Sequence, residues 1–348
     1  MNATSKLLKK LLKWLLPRLS LPLLVLNGWV LLLLLDYFHT PLNILITGSV
    51  LAFLLGYPVR WLERRGIKPL PAIIMILIGT LLVIGLLAVT IVPLLVKQAQ
   101  SLTSNFSDWT NSFHKQVQIL HDWVQEKGIP IDLDGVATNL SNHLATQLQA
   151  LSGYLPKFLQ GAVGSIFESF LIIVVTVYIL LEGERLWIGI LEWLPTSLRE
   201  RLKTVLPRSF QNYFIGQGTI GLIEGTAMSL ALTVFQIPYG FLFGIFIGVM
   251  VLVPFGGTIG ITLVILLVSM KSIWLGLTVL VIALVIEQIV QNGIAPRLMG
   301  HLTGVHPVWV VMAILIGAKI SGLLGVLLAV PLASTFKEIM EIYKPKRY

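Results

Sequence analysis

No cysteine occurs among the 348 residues of this chain, which excludes disulfides, thiolate metal sites and a cysteine nucleophile. Charge is scarce too. Asp, Glu, Lys and Arg make up 12% of the sequence against 56% hydrophobic residues, and the mean hydropathy is +0.88. That balance excludes a soluble domain and marks an integral membrane protein. No P-loop, HExxH, GxSxG or Rossmann glycine pattern stands in a fitting context, so an enzyme or a self-sufficient ATP-driven pump is not expected. Neither a cofactor nor a metal site is expected. Strand patterns and low-complexity tracts are missing as well, which leaves an all-α, polytopic architecture. About seven or eight apolar segments of roughly 20 residues fit into this length.

The scarcer charge is acidic, with 16 Asp and Glu against 25 Lys and Arg and a formal net charge of +9. Such a balance invites a nucleic-acid partner, but its placement argues for a lipid bilayer instead. Lys6, Lys9, Lys10, Lys13 and Arg18 crowd the N-terminus, and Arg60, Arg64, Arg65 and Lys68 sit between two apolar runs. Lys337, Lys344, Lys346 and Arg347 close the chain. Segment 98–160 has three lysines (115, 127 and 157) against Asp108, Asp122, Glu126, Asp132 and Asp134. By the positive-inside rule both termini and the basic loop face the cytoplasm of a cell (inner) membrane, and the acidic segment faces out.

The expected organisation follows from these runs. Residues 1–18, with KLLKKLLKWLL at their centre, form an amphipathic helix on the cytoplasmic leaflet. A secretory signal is the competing reading, but Asp36, Tyr37, Phe38 and His39 offer no small-residue cleavage site. Three spans fill 19–97, and a helical hairpin outside the membrane fills 98–160. Its first stripe is Leu102, Phe106, Trp109, Phe113, Val117 and Leu120. Gly128 and Pro130 mark the turn, and a second stripe runs Leu133, Val136, Leu140, Leu144, Leu148, Leu151, Leu155. These stripes are expected to bury against each other, the membrane surface or, above all, a neighbouring subunit. A fourth span covers 161–181 and a charged cytoplasmic connection covers 182–210. Residues 211–336 form the membrane core, and 337–348 a basic tail.

The core carries the most informative pattern. FLFGIFIGVMVLV (241–253) is interrupted by Pro254, Phe255, Gly256 and Gly257, then resumes as an apolar run to Val268. VWVVMAILIG (308–317) is interrupted by AKISG and resumes up to Pro331. Runs of about 10–14 apolar residues are too short to cross a hydrocarbon core of ~30 Å and read as re-entrant hairpins. Irregular backbone at that depth is tolerated only beside protein or a water-filled cavity. Paired interrupted helices point to a transporter's substrate site.

Ionisable residues in apolar runs cost about 2.5–3.5 kcal/mol on insertion scales, so each one needs a reason. Glu287 stands in the run 273–290, with Gln291 one turn on and with Gln288 and Asn292 as a second pair beside it. They lead into Pro296 and Arg297. A carboxylate here binds a proton or Na⁺, or accepts hydrogen bonds from a polyhydroxylated solute. The structural alternative is an ion pair with Arg297 or Lys319. Glu224, between Gly221 and Gly225, is either a second proton carrier or, as the sequence favours, a residue near the cytoplasmic interface. Lys319 sits at the second hairpin tip, where snorkelling to the interface competes with meeting an anionic solute. His306 and Glu168 read as residues at span ends. The candidate site is therefore Glu287, Gln288, Gln291, Asn292, Pro254, Gly256, Gly257, Pro296, Arg297, Lys319 and Glu224.

Several stretches resemble the autoinducer-2 exporter family: PVRWLERRGI (58–67), EGERLW (182–187), LPTSLRERL (194–202), QNGIAPRLMG (291–300), GVHPVWVV (304–311) and GLLGVLLAVPLAS (322–334). The last three, in this order and spacing, carry the resemblance. Phe255 and Gly257 depart from the family pattern of a tyrosine or aliphatic residue after the proline and a proline after the glycine. The resemblance implies an inner-membrane transporter that forms homo-oligomers, with a pentamer expected. It also implies export of a small polar solute such as autoinducer-2, or Na⁺ (Li⁺)/H⁺ antiport. From outside the class, the competing function is a non-transporting membrane scaffold, which would not need core carboxylates.

Overall fold

The computed structural model describes residues 36–127, 135–148, 166–299 and 306–340, together with Leu26, Asn27, Val30, Leu33 and Leu34. The expected N-terminal helix, nearly all of the first span, the turn at Gly128 and Pro130, the stripe residues Leu133, Leu151 and Leu155, and the tail beyond Met340 lie outside the described residues. Among those described the fold is all helix, in agreement with the sequence. The elements are α1 (His39–Glu63), α2 (Pro69–Glu126), α3 (135–148), α4 (Ile166–Leu191), α5 (Thr196–Val234), α6 (Gly240–Val251), α7 (Gly256–Lys271), α8 (Ile273–Ile289), a π-helical turn (Val290–Ile294), α9 (Ala295–Met299) and α10 (Pro307–Met340).

Four helical stretches are long and apolar enough to cross a membrane by length and composition: His39–Glu63, Pro69–Glu126, Ile273–Leu298 and Val308–Met340. α2 has 58 residues, which at 1.5 Å per residue is about 87 Å, roughly twice a whole bilayer. One continuous helix therefore forms both the third span and the first arm of the outer hairpin. Pro93 lies inside it, where the missing N–H leaves one helical hydrogen bond unmade.

The stripe on that arm does not wait for a neighbouring subunit. Leu102, Phe106 and Trp109 are buried in one cluster with Leu144 and Leu148 of α3 and with Ile247, Val264, Met270 and Val279 of the core. The expectation of burial between subunits is corrected for this part of the stripe, because the chain's own α6–α8 cover it. Further out the stripe runs dry: Leu120 is 49% exposed and Val136 63% exposed. Polar side chains of α2 complete the attachment. Gln98 Oε1 accepts the N–H of Leu242 at 3.0 Å. Gln116 Oε1 accepts the N–H of Ile273 at 2.8 Å, and its Nε2 donates to the carbonyl of Met270 at 3.3 Å. First-turn N–H groups have no partner within their own helix, so α2 supplies theirs.

The charged stretch 182–210 is helical rather than an open connection. α4 runs on to Leu191, only residues 192–195 break the chain, and α5 continues through Pro207 to Val234. The expected boundary at 210 and 211 thus falls inside one 39-residue helix. Arg60, placed in the basic loop by its sequence, lies in the last turn of α1, its guanidinium over the Tyr57 ring.

Both interrupted runs fold as anticipated. The first is the pair α6 and α7. The second lies inside α10, where Ser321 (φ −137°, ψ 24°) and Gly322 (φ 55°, ψ −131°) leave helical geometry. Gly317 and Gly325 then meet backbone to backbone, although eight residues along a straight helix would hold them about 12 Å apart. The chain therefore doubles back at Ser321–Gly322.

Candidate functional site

α5 and α6 form an antiparallel pair. The reversal between them passes through Gln236 (φ 55°) and Tyr239 (φ 58°), two non-glycine residues in the left-handed region. Small residues let the two backbones touch: a Cβ on Gly225 would lie 3.0 Å from the Cα of Gly248, and one on Gly248 only 2.6 Å from the Cα of Gly225. Close approach of this kind needs glycine on both helices. It also seats Glu224, the neighbour of Gly225, beside the end of α6.

That end is the first hairpin's tip. α6 stops at Val251, and a tight turn comes next in which Val253 N–H donates to Met250 O at 3.0 Å and Gly256 N–H to Val253 O at 2.9 Å. Phe255 takes φ 62° with its side chain exposed. Any side chain on Gly256 would strike the Met250 carbonyl, so this glycine is a steric requirement. Gln217 of α5 donates its side-chain N–H to the carbonyl of Val251.

Beneath the tip the two expected carboxylates converge. From the position a Cβ would take on Gly257, Glu224 Oε1 is 3.7 Å away and Glu287 Oε1 is 3.8 Å away. Glu224 is 0% exposed, and neither of its oxygens has a hydrogen-bond partner. Glu287, on α8, is half-buried. A carboxylate without donor or counter-charge is too costly to keep ionised in a dry interior, so a proton or a cation must neutralise it. The sequence-based preference for Glu224 at the cytoplasmic interface is therefore corrected. It lies in the core, within reach of Glu287.

The polar residues after Glu287 do not join it. Gln288, Gln291, Asn292, Pro296 and Arg297 are exposed and make no hydrogen bond or ion pair among the described residues. The π-helical turn Val290–Ile294 explains the difference: Ala295 N–H reaches back five residues to Val290 O, widening the helix and rotating the residues beyond it away from the α-helical register. Pro296, with no N–H to give Asn292, and flexible Gly293 favour that widening. Such turns recur at functional positions. The alternative of an ion pair between Glu287 and Arg297 or Lys319 is not what forms; the ion pairs among the described residues are Arg185–Glu182, Arg199–Glu200 and Lys203–Glu200. Lys319 is exposed two residues before the second reversal, as expected of a tip. His306 takes the N–H of Val308 on Nδ1 at 3.4 Å and opens α10, and Glu168 is exposed in the first turn of α4.

Two participants escaped the sequence reading. Gln217 is an amide between two glycines in an apolar stretch of helix, and that placement is the signal that marks it. Tyr213, one turn before it, is 4% exposed with an unpartnered hydroxyl.

A helical membrane protein with two re-entrant hairpins, one closing over a buried carboxylate pair, has the build of a transporter. The particular family comes from comparison: the chain belongs to the AI-2E transporter family, whose model, described as "AI-2E family transporter", matches residues 19–345. It is 40% identical over 329 residues to the Synechocystis protein sll0060, covering 94% of this chain and 96% of that one. It is 41% identical over 330 residues to sll0063 of the same organism, covering 92% and 82%. YueF of Bacillus subtilis is 26% identical over 315 residues, covering 84% and 81%. All three bear the printed name "Putative transport protein". The chain is a multi-pass membrane transporter, as its resemblance implied.

Proposed function

We propose that this transporter exports a small polar solute of the autoinducer-2 kind, and that the movement is coupled to a proton or a monovalent cation held between Glu224 and Glu287. The observation that carries the reading is the fully buried, unpartnered Glu224 facing Glu287 beneath the tip at Gly257. A site of this kind binds and releases charge as the tip closes and opens. The second reading is Na⁺ (Li⁺)/H⁺ antiport with no organic cargo. The tight cover over Glu224 favours it, since an ion fits there and a solute with several hydroxyl groups does not. A passive scaffold would have no use for an uncompensated carboxylate in its core. We also propose that the chain works without enzymatic chemistry, as a homo-oligomer of the family's pentameric type, in the inner membrane with both termini in the cytoplasm.

The test is purified protein in liposomes, loaded with a panel of small polar solutes, with and without Na⁺ or pH gradients. Wild-type uptake is expected to respond to at least one gradient. Glu287→Gln, which keeps shape and hydrogen-bonding capacity, should fold normally and lose that response. Unchanged Na⁺ and pH profiles in a well-folded Glu287→Gln protein would remove this residue from the coupling.

Orientation has its own check. Ser104 is exposed on the outer part of α2, and the chain has no cysteine of its own. Ser104→Cys is expected to react with a membrane-impermeant thiol reagent in intact cells. Labelling only after permeabilisation would invert the topology.

A further inference from the structure

The first hairpin is held very unequally at its two ends. Its roots are tied to α2 through Gln98 at Leu242, through Gln116 at Met270 and Ile273, and through Asn105, whose Nδ2 donates to the Tyr239 hydroxyl at 2.9 Å. At the tip, a single side-chain hydrogen bond arrives from another helix among the described residues: Gln217 to the Val251 carbonyl. That carbonyl is one of those at the end of α6 with no helical partner of its own, so the bond meets a real need. The turn it steadies contains Phe255 in the left-handed region at φ 62°, a conformation that a bulky residue holds only at a cost.

Gln217 also stands between two unexplained polar groups. Tyr213 lies four residues before it and Glu224 seven residues after it, which is one turn and two turns along the same face of α5. Both are buried, and the Tyr213 hydroxyl and both Glu224 oxygens lack partners. Polar groups buried in this way are normally met by water or an ion. Here two of them flank the one bond that fastens the tip.

We infer that Gln217 is the latch of an ion-access path along this face of α5. While its amide holds Val251, the tip covers Glu224. When the bond is released, the tip swings about its tethered roots, and water with a proton or monovalent cation reaches Glu224 past Tyr213. Gln217 is thus a positioning residue that acts through the tip. The inference rests on the reading of Glu224 and Glu287 as the ion site.

The experiment uses the full chain in liposomes and its lack of native cysteine. Glu224→Cys alone should react slowly with a small water-soluble thiol reagent. Adding Gln217→Met, which keeps bulk and removes the donor, should raise that rate about tenfold, the shift expected when one hydrogen bond favouring the closed state is lost. Gln217→Asn, an amide too short to reach, should act in the same direction and serves if the methionine variant assembles poorly. A cysteine at the buried Ala52 of α1 should keep its wild-type rate. Equal rates at position 224 with and without the latch, or an equal rise at position 52, would overturn the inference. Transport separates the two ideas. If Glu224→Gln keeps gradient coupling while latch variants still speed labelling, the latch stands and the ion-site reading falls. If coupling is lost but labelling never moves, the site stands and the latch falls.

Discussion

Replacing Glu224 by methionine is expected to make the protein more stable and, at the same time, to abolish gradient-coupled transport. The side chain is fully buried and its two oxygens find no donor. An unsatisfied buried polar group costs about 1–3 kcal/mol, whereas an apolar replacement of similar shape is neutral or stabilising. Methionine fills the same volume with a flexible apolar chain and adapts to small misfits. The gain should therefore be about 1–3 kcal/mol, read as a higher midpoint of thermal unfolding in mild detergent. Glu224→Gln should gain less, because its amide inherits the same lack of partners. Opposed changes in stability and activity mark a residue retained for function at the expense of the fold. A clear loss of stability in Glu224→Met would show instead that the carboxylate is anchored by a partner, and the reading of an uncompensated site would fail.

How much of this was legible in the sequence depends on distance along the chain. The two hairpins were readable because glycine and proline break apolar runs too short to span, and both breaks fall where expected, at Pro254–Gly257 and at Ser321–Gly322. The stripe from Leu102 to Phe113 was readable from its period, since one helix face repeats every three or four residues. The elements that cover it were not, because periodicity names a buried face and says nothing of its partner. Glu287 stood out as a charge in an apolar run. Glu224 was seen and misplaced: α5 mixes Asn212, Gln217, Thr219 and Thr226 into its length, which blurs where the membrane begins. The meeting of Glu224 with Glu287 and Gly257 is a tertiary fact, created by the glycine contact of α5 with α6. The amides after Glu287 were assigned to its face by α-helical spacing, and the π-helical turn changes that spacing. An Asn-Gly pair ahead of a proline hints at irregular backbone but does not say which kind.

Gly244→Ala is expected to be among the most damaging single-methyl changes in the molecule, and Gly218→Ala among the most harmless. The two residues lie on the paired helices α6 and α5, and the substitution adds the same atom to each. A Cβ on Gly244 would overlap the backbone N and Cα of Ser229, atoms fixed in the middle of α5 that cannot rotate aside. The helices must then separate, opening the contact between Gly225 and Gly248 and with it the packing around Met228, Leu232 and Ile247, all 0% exposed. Overpacking of this kind costs typically 1–3 kcal/mol and more when backbone has to move, so a loss of about 3 kcal/mol or more is expected. On Gly218 the added Cβ meets nothing within 4 Å, and alanine's better helix propensity should contribute up to about 1 kcal/mol. Thermal unfolding of the two variants side by side measures the difference. Transport should run in the same order, because the crossing of α5 and α6 is what brings Glu224 under the tip, and a separation of about an ångström is enough to undo the geometry of a site. Equal stability of the two variants would mean that the helices cross less tightly than described, and Glu224 would then have room for water without any movement of the hairpin.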